Sequence, residues 1–242
     1  MRLRMFKTLK RLMLAAIVAP AMAVAAPASV DLDRAPVSMD PATLQHGAKL
    51  FVNYCLNCHS ASFVRYNKFT EFGLTEDQIR DNLMFAGERV GDLMTIAMRP
   101  KESKEWFGAT PPDLSLVARQ RNSGNGSGAD WLYTYLRQFY RDPARPSGWN
   151  NVVFENVGMP HVLWELQGEQ VMVDGKLVLD KPGRMDAAEY DRAVADLVSF
   201  MVWMGEPGAE KRESIGVFVL IFLIVFTGIG YALKKNYWKD IH

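Results

Sequence analysis

The feature that most constrains the fold is an uncharged apolar run near the C-terminus. Residues 215–233 are 19 consecutive residues without Asp, Glu, Lys or Arg. A helix of that length spans about 28 Å, which is close to the hydrocarbon thickness of a bilayer. A helix that is apolar on every side needs lipid or a large core around it, and the rest of the chain offers no such core. The run therefore predicts a transmembrane helix.

A second apolar run lies at the N-terminus and has different flanks. Five basic residues precede it within residues 2–11, and it extends from Leu12 to about Val24, close to the small residues Ala25 and Ala26. It is shorter than a membrane span and is interrupted by Pro20, which is typical of a secretory signal peptide. We therefore expect this segment to be removed when the protein is exported.

Basic residues set the predicted orientation in the membrane. Lys234, Lys235 and Lys239 follow the C-terminal apolar run, which predicts a cytoplasmic C-terminus in the inner membrane and an exported main domain. The predicted organisation is a signal peptide (1–25), a periplasmic domain (26–205), a linker (206–214), a transmembrane helix (215–233) and a cytoplasmic tail (234–242).

The net charge of the exported part indicates which classes of partner it could bind. Residues 27–213 contain 20 lysines and arginines against 26 aspartates and glutamates, a net charge of −6, although the whole chain carries +1. An acidic surface disfavours binding to nucleic acid, and it would steer a basic protein partner towards the domain. A surface that serves only solubility is the simpler explanation, and charge alone does not separate the two.

Hydrophobic periodicity predicts a mostly helical domain. Asp40 and Pro41 are typical of a helix start, and the apolar spacing after them continues to Cys55. Further predicted elements are a short helix after Thr75, a helix over 129–141, an ordered loop over 148–160, a hairpin around Asp174-Gly175, and a helix from Asp186 to Gly205.

One short motif carries the chemistry. Cys55-Leu56-Asn57-Cys58-His59 has the C-x-x-C-H spacing of covalent attachment of haem c, in which each thiol adds to one vinyl group of the same porphyrin. The following histidine then lies beneath the iron. A disulfide, a thioredoxin-like pair and a zinc site are the alternatives, but the last two need a βαβ context or more ligands than this chain supplies.

The sixth iron ligand decides the class of function. A methionine thioether closes the iron and favours electron transfer, whereas an open position favours a peroxidase or a gas sensor. Met159 is the first choice, because Gly158 and Pro160 flank it in a loop. Met98 is the second-choice methionine for the sixth ligand. His161 is the preferred candidate if that ligand is a histidine. His46 lies on the helix that enters the motif and is more typical of a surface or core residue.

Arginines are the expected partners of the haem propionates, because the planar guanidinium binds carboxylates well. Arg119 and Arg121 follow a Pro-Pro-Asp-Leu-Ser stretch and are the candidates. For any single arginine, a solvated surface charge is the simpler interpretation.

Several segments, in this order, resemble the cytochrome c1 family. They are residues 98–100 (MRP), residues 109–115 (ATPPDLS) with Arg119, residues 158–160 (GMP), residues 200–207 (FMVWMGEP) and residues 231–238 (YALKKNYW). The likeness covers nearly the whole exported chain. It implies a class I cytochrome c core with insertions, and it implies that the first helix crosses the 186–205 helix near Gly47 and Phe51.

The resemblance also implies a set of site residues. Cys55 and Cys58 would hold one haem c, and His59 and Met159 would be its axial ligands. Arg119 would face a propionate, and the haem edge would be lined by Pro111 and Pro112.

The implied function is electron transfer in a quinol–cytochrome c reductase, also called respiratory complex III. The electron would come from a Rieske iron–sulfur protein, next to a membrane cytochrome b, and would leave to a periplasmic cytochrome c. The chain shows no catalytic residues of its own. It lacks the additional cysteines and the long acidic insert of some relatives, so its docking surface for a basic cytochrome c would be built from other residues. A different tethered cytochrome, a haem peroxidase or sensor, and a haem-free disulfide protein are the alternatives.

Overall fold

The computed structural model describes residues 30–240. The predicted signal peptide (1–25) lies outside the described residues. The helices, in chain order, are α1 (Pro41–Leu50), α2 (Glu76–Asn82), α3 (Pro100–Phe107), α4 (Val117–Gln120), α5 (Gly128–Arg137), α6 (Trp164–Gln167), α7 (Ala187–Gly205) and α8 (Ala209–Tyr237). The strands are β1 (Ala61–Arg65), β2 (Leu93–Met94), β3 (Phe139–Arg141), β4 (Trp149–Asn151), β5 (Gly168–Val173) and β6 (Lys176–Pro182). Within the described range the strands form three separate antiparallel pairs, so the mostly α class is confirmed.

Helix α1 begins as the sequence predicts and changes its winding before the cysteine motif. The side chain of Asp40 accepts a hydrogen bond from the Ala42 amide at 3.0 Å, and proline occupies the first turn. Residues Phe51–Cys55 continue the helix as one π-helical turn, in which the Leu56 amide donates to the Phe51 carbonyl at 3.0 Å. Such wider turns are frequent at functional sites.

Helix α1 is fixed against α7 by a close crossing at Gly47. A Cβ added to Gly47 would lie 2.1 Å from the Asp196 carbonyl oxygen and 2.7 Å from the Phe200 Cβ. Glycine is therefore required for this approach of the two helices. Next to the crossing, His46 Nδ1 lies 2.7 Å from the carboxylate of Asp196. The crossing implied by the family resemblance is present.

An aromatic cluster fills the core beside this crossing. Its rings come from the π-helical extension of α1, from the 3₁₀ segment Tyr66–Phe72, and from α7. The ring centroids of Phe72 and Trp203 lie 4.9 Å apart at an interplanar angle of 85°, and those of Phe51 and Phe200 lie 5.3 Å apart. The first pair is edge-to-face and the second is tilted at 51°, and such aromatic contacts add to the stability gained from burial. The cluster gives the cysteine motif a rigid support.

Two boundaries differ from the sequence prediction. Helix α5 ends at Arg137, four residues earlier than predicted, and β3 follows it at once. Strand β4 lies inside the segment predicted as a loop and pairs with β3. The sequence around β3 is Phe-Tyr-Arg, and aromatic residues favour strands when a partner strand is available. A partner ten residues further along the chain is not visible in helical periodicity.

The local signals at other boundaries predicted the structure correctly. Thr75 and Asp186 each start a helix through a reciprocal capping box. The β5–β6 hairpin turns at Asp174 and Gly175, whose φ angles of 48° and 76° match the predicted primed turn.

Helix α8 is the only helix among residues 30–240 that is long and apolar enough to cross a membrane. It has 29 residues, and its apolar side chains are exposed to the surroundings. The helix begins at Ala209, so most of the segment predicted as a linker is helical. Only residues 206–208 separate α8 from α7. The separation at Pro207 follows the rule that a helix ends before a proline.

Candidate haem-binding site

Cys55 is the last residue of the π-helical segment, and Cys58 lies on the turn that follows it. The amides of Cys58 and His59 donate hydrogen bonds to the Cys55 carbonyl at 3.1 and 2.9 Å, so the motif closes on itself. Cys55 is buried and Cys58 is half-buried. Both thiols are free, although they are close enough in the chain to form a short disulfide loop. The motif therefore offers two free thiols within one hydrogen-bonded turn.

Burial keeps the sulfur of Cys55 neutral. Removal from water, with a smaller contribution from Cys58, raises the pKa of the Cys55 thiol to about 12. A buried site disfavours a thiolate but accepts a neutral sulfur. A thioether is such a sulfur, so the surroundings of Cys55 fit a covalent link better than a thiolate–metal bond or a redox-active thiol.

His59 is held by a backbone carbonyl. Its Nδ1 donates to the Pro112 carbonyl oxygen at 2.7 Å, which fixes the tautomer and leaves Nε2 as a free donor atom for a metal. Burial lowers the pKa of His59, while the bond to Pro112 and the charge of Asp113 oppose this shift. The ring is therefore neutral at physiological pH, as an iron ligand must be.

The segment around Pro112 is fastened to the residues that follow His59. The Leu114 amide donates to the Ser60 carbonyl at 2.8 Å. The Asp113 carboxylate accepts from the amides of Ser62 and Ser115 at 2.8 and 2.9 Å. Burial alone would raise the pKa of Asp113, but these hydrogen bonds outweigh it and lower the pKa. The Pro-Pro-Asp-Leu-Ser stretch thus supports the histidine through its backbone, a role that the sequence did not reveal.

Met159 lies in a loop that is held by asparagine side chains. The Asn156 amide donates to Asn150 Oδ1 at 2.8 Å, and the amide of Val153 donates to Asn151 Oδ1 at 2.9 Å. Asn156 itself has a φ of 62°, a conformation in which asparagine is enriched. These bonds order the loop without a helix or strand, so the half-buried Met159 side chain has a defined position.

The sulfur of Met159 has one polar neighbour that sequence reasoning missed. The hydroxyl of Tyr135, on α5, donates to Met159 Sδ at 3.4 Å. Burial raises the pKa of Tyr135, so the phenol keeps its proton. Tyr135 is 24 residues before Met159, and only the phase of α5 relative to the loop brings the two together.

The two candidate arginines occupy different environments. Arg119 lies 3.4 Å from the Glu206 carboxylate at the end of α7, and its side chain is 59% exposed. Arg121 lies over the ring of Trp131 at 4.4 Å, and Trp131 stacks on Tyr135. The structure therefore connects Arg121, rather than Arg119, to the surroundings of Met159. The assignment of a propionate to Arg119 stays a prediction.

The competing ligand candidates are found in other settings. The Nδ1 atom of His46 is hydrogen-bonded to the Asp196 carboxylate at 2.7 Å. His161 is buried, stacks on Phe139 at 4.9 Å, and has its pKa lowered to about 4 by burial. Met98 is half-buried near the start of α3. Within residues 30–240, no group of three or more His, Cys, Asp or Glu side chains is arranged to hold a metal ion.

These donors fit one covalent haem. Two free sulfurs sit on one turn, a neutral histidine next to them has its Nδ1 engaged, and a methionine sulfur is presented from a separate ordered loop. The site and the mostly helical fold, together with α8, define the class as a c-type cytochrome with a single helix able to anchor it in a membrane.

Comparison with known proteins specifies the family. Residues 33–241 match the Cytochrome C1 family. The chain is 52% identical to a Nitrosomonas europaea protein named ammonia monooxygenase gamma subunit, over 98% of this chain and all of that one. It is 42% identical to cytochrome c1 of Allochromatium vinosum, over 93% of this chain and 96% of that one. Cytochrome c1 of Rhodospirillum rubrum is 28% identical, over 84% of this chain and 83% of that one. The chain belongs to the cytochrome c1 family.

Membership confirms four sequence predictions. The chain is the haem-carrying electron-transfer subunit of a bc1 complex, and it binds one covalent haem c. The recognition of the family and the mostly α fold class are confirmed as well. As a complex III subunit it works with other membrane proteins, and α8 fits a single-pass anchor.

Proposed function

We propose that this chain takes single electrons from a Rieske iron–sulfur protein and delivers them to a periplasmic cytochrome c, beside a membrane cytochrome b. The observation that carries the proposal is the engaged Nδ1 of His59, which leaves Nε2 free next to two unpaired cysteines. When bound, the haem supplies a one-electron iron couple. The protein has to hold it, close both faces of the iron and keep water away.

Covalent attachment is assigned to Cys55 and Cys58. Two thioether links on one turn would hold the group close to α1, and the aromatic core behind α1 resists any shift of that turn. Because the attached group cannot dissociate, the pocket need not bind it through many polar contacts. A low-polarity pocket also limits solvent rearrangement when the charge of the iron changes.

Axial ligation is assigned to His59 and Met159. The neutral imidazole, with its Nδ1 bonded to the Pro112 carbonyl, is oriented and made a better ligand by that bond. The thioether of Met159 would be the second ligand, which would raise the reduction potential and exclude oxygen and peroxide. With both positions filled, the protein is suited to electron transfer and unsuited to peroxidase or gas-sensor chemistry.

The remaining predicted contacts concern the rim of the site. We propose that Pro111 and Pro112 line the haem edge, which the position of Pro112 next to His59 supports. Arg119 is proposed to face a propionate. Its present partner is Glu206. Arg121 is the alternative cation, because it lies on the Trp131–Tyr135 stack.

The orientation is proposed to place the haem domain in the periplasm. The basic n-region and the lysines after α8 support it. In spheroplasts, added protease should then degrade the haem domain while leaving a C-terminal epitope tag protected. Degradation of the tag with the domain intact would reverse the orientation.

The acceptor is proposed to be a basic cytochrome c that is attracted by the net charge of −6 on residues 27–213. Surface electrostatics of this kind act on the association rate and are screened by salt. The second-order rate of electron transfer to a basic cytochrome c should therefore fall steeply as ionic strength rises. A rate that is independent of salt would contradict the charge argument.

The name of the Nitrosomonas europaea relative supports a second candidate, a subunit of an ammonia monooxygenase. The two candidate functions can be distinguished by purifying the tagged full-length chain from its native membranes. Reduced-minus-oxidised spectra of the purified fraction then identify the cytochromes that accompany it. The first proposal requires a b-type cytochrome and an iron–sulfur protein in the same fraction, together with quinol-dependent reduction of cytochrome c. Recovery with ammonia-oxidising activity and without cytochrome b would replace it with the second.

A further inference from the structure

The outer side of strand β6 is an exposed apolar edge. The side chain of Gln170 on β5 donates to the Phe139 carbonyl at 2.9 Å, which fastens β5 to the domain beside β3. In the part of the chain that the structure describes, β5 is the only strand that pairs with β6. On β6, Val178 is 46% exposed and Leu179 is 53% exposed. An apolar edge with unpaired backbone groups is a template for pairing with another strand.

The hairpin turn determines which backbone groups of β6 point outward. In a hairpin with a two-residue turn, the residues that flank the turn, here Val173 and Lys176, exchange both hydrogen bonds. Because the bonding direction alternates along a strand, the amides and carbonyls of Leu177 and Leu179 point away from β5. A strand that pairs with β6 from outside must therefore place its own hydrogen-bonding residues opposite these two leucines.

The sequence of β6 is complementary to a second copy of itself in one antiparallel register. When Val178 lies opposite Val178 of the second copy, Leu177 faces Leu179 and Lys176 faces Asp180, each twice. Both leucine pairs then exchange hydrogen bonds through their outward backbone groups. A shift of two residues places a charge opposite Val178, and a shift of four places like charges opposite each other, which is destabilising. The register centred on Val178 is therefore favoured.

The two charged residues of this register are available for the contact. The ion pairs of the hairpin join Glu169 to Arg141 and Lys181, and among the described residues they do not include Lys176 or Asp180. A register shift next to Glu169 also leaves Asp180 without a partner on β5. Charges of one sign protect an edge strand because they repel a second copy. Here the two signs alternate about Val178, so a second copy is attracted.

We propose that β6 pairs antiparallel with β6 of a second copy of this chain, across a twofold axis at Val178, and joins the two hairpins into one four-stranded sheet. The inference does not depend on the haem ligands or on the proposed electron acceptor. The contact is short, but α8 would confine both copies to one membrane, which raises their effective concentration.

The main test is Val178→Cys in the tagged full-length protein, with Val173→Cys in the same hairpin as the control. The two valines are 46% and 48% exposed, so the new thiols are equally accessible. At the axis, opposite Cα atoms are about 4.5 Å apart, which is within the range of a disulfide. The two Val173 positions are separated by three strand spacings, about 14 Å.

Isolated membranes are treated with a mild oxidant, and non-reducing immunoblots measure the dimer. Val178→Cys should give a disulfide-linked dimer, and Val173→Cys should stay monomeric. Three results would overturn the proposal: monomer only in both variants, equal cross-linking of the two, or a link from residue 178 to a different polypeptide.

The register is tested by reversing charges in the Val178→Cys protein. Lys176→Asp replaces both attractive pairs with repulsive ones and should slow dimer formation at least about fivefold. Adding Asp180→Lys restores opposite charges across the axis and should restore the rate. A rate that is the same in all three proteins would contradict this register.

A measurement on the unaltered protein covers the case in which the variants do not assemble. Within one strand, Lys176 and Asp180 are about 13 Å apart, too far for a direct amide bond. A carbodiimide-induced link between them therefore has to join two copies. The pair of Lys181 and Glu169, at 3.0 Å, is the internal control within one copy. Mass spectrometry that finds the control link without the Lys176–Asp180 link would refute the proposal.

Discussion

The histidine side and the methionine side of the site are built in different ways. His59 follows Cys58 directly and is carried by a turn that closes within five residues, and its second nitrogen bonds a backbone carbonyl. Met159 comes from a loop 100 residues later, and its sulfur bonds the side chain of Tyr135 on another helix.

The comparison shows that the motif alone positions the histidine, whereas the tertiary fold is needed to position the methionine. A ligand next to its attachment point needs only local backbone geometry and one carbonyl, which almost any residue could supply. The proposed ligand from the methionine side is positioned only if a loop, a helix and an aromatic stack are packed correctly against one another. Side-chain changes should therefore affect the histidine side only at His59 and its scaffold, but should affect the methionine side at several distant positions.

The largest expected effect tests the histidine side. His59→Ala should abolish a normal holoprotein, because the motif then lacks the residue that we propose as the iron ligand. Haem-stained gels and membrane spectra measure this. The control is His46→Ala, which removes a partly exposed hydrogen bond to Asp196 and should keep the haem. Normal haem content in His59→Ala would contradict the claim that His59 is needed for a normal holoprotein.

The next effect concerns the methionine side. Met159→Leu should keep the covalent haem, let carbon monoxide bind the ferrous iron, and lower the potential by on the order of 0.1 V, within the ~0.8 V that axial ligands span. Potentiometry and carbon monoxide difference spectra check it. Met98→Leu is the matched control and should behave like the parent protein. The reverse pattern would make Met98 the ligand.

A third prediction addresses the scaffold of the histidine side. Gly47→Ala places a Cβ 2.1 Å from the Asp196 carbonyl oxygen, so α1 and α7 must separate. Overpacking should outweigh the gain of ~1 kcal/mol in helix propensity and lower the free energy of unfolding by about 2 kcal/mol. Denaturant titration in detergent measures it. Gly124→Ala, where a Cβ meets nothing within 4 Å, should change stability by less than ~0.5 kcal/mol.

The smallest expected effect on stability concerns a group of ion pairs that packs behind the methionine side. Arg141 and Lys181 hold the Glu169 carboxylate at 2.9 and 3.0 Å, and they lower its pKa from 4.5 to about 2. Arg141 also covers Trp149, which packs against His161. The ionised Glu169 therefore contributes stability that is present above about pH 4.5 and is lost as the pH falls towards 2.

Glu169→Gln should cost about 1 kcal/mol at pH 7, since solvent screens part of the interaction. The difference from the parent protein should disappear near pH 2. Thermal unfolding at several pH values tests this. Glu165→Gln removes a more exposed pair with Arg184 at 2.9 Å and serves as the control. A constant difference across the pH range would mean that the pKa of Glu169 is not lowered by its partners.

The sequence predicted the elements whose signals are local. The capping boxes at Thr75 and Asp186, the Asp174-Gly175 turn and the membrane-length helix are each encoded within a few residues or one composition window. Helix α5 was predicted too long because the strand that replaces its end depends on pairing with β4.

The same distinction applies to the site. The spacing of Cys55, Cys58 and His59 was enough to predict a haem, and family membership confirms the haem. The contact of Tyr135 with Met159 could not be predicted, because it depends on the angle at which α5 passes the loop. Arg119 was selected by its distance in sequence, whereas its ion pair with Glu206 depends on where α7 ends.

The most direct test of the central claim is peptide mapping of the purified, denatured full-length protein by mass spectrometry. One haem should stay covalently attached to the peptide that contains residues 55–59, and neither cysteine should react with an alkylating reagent. A haem that is extracted by acidified organic solvent, or a Cys55–Cys58 disulfide in a colourless protein, would contradict the assignment of this turn as the haem attachment site.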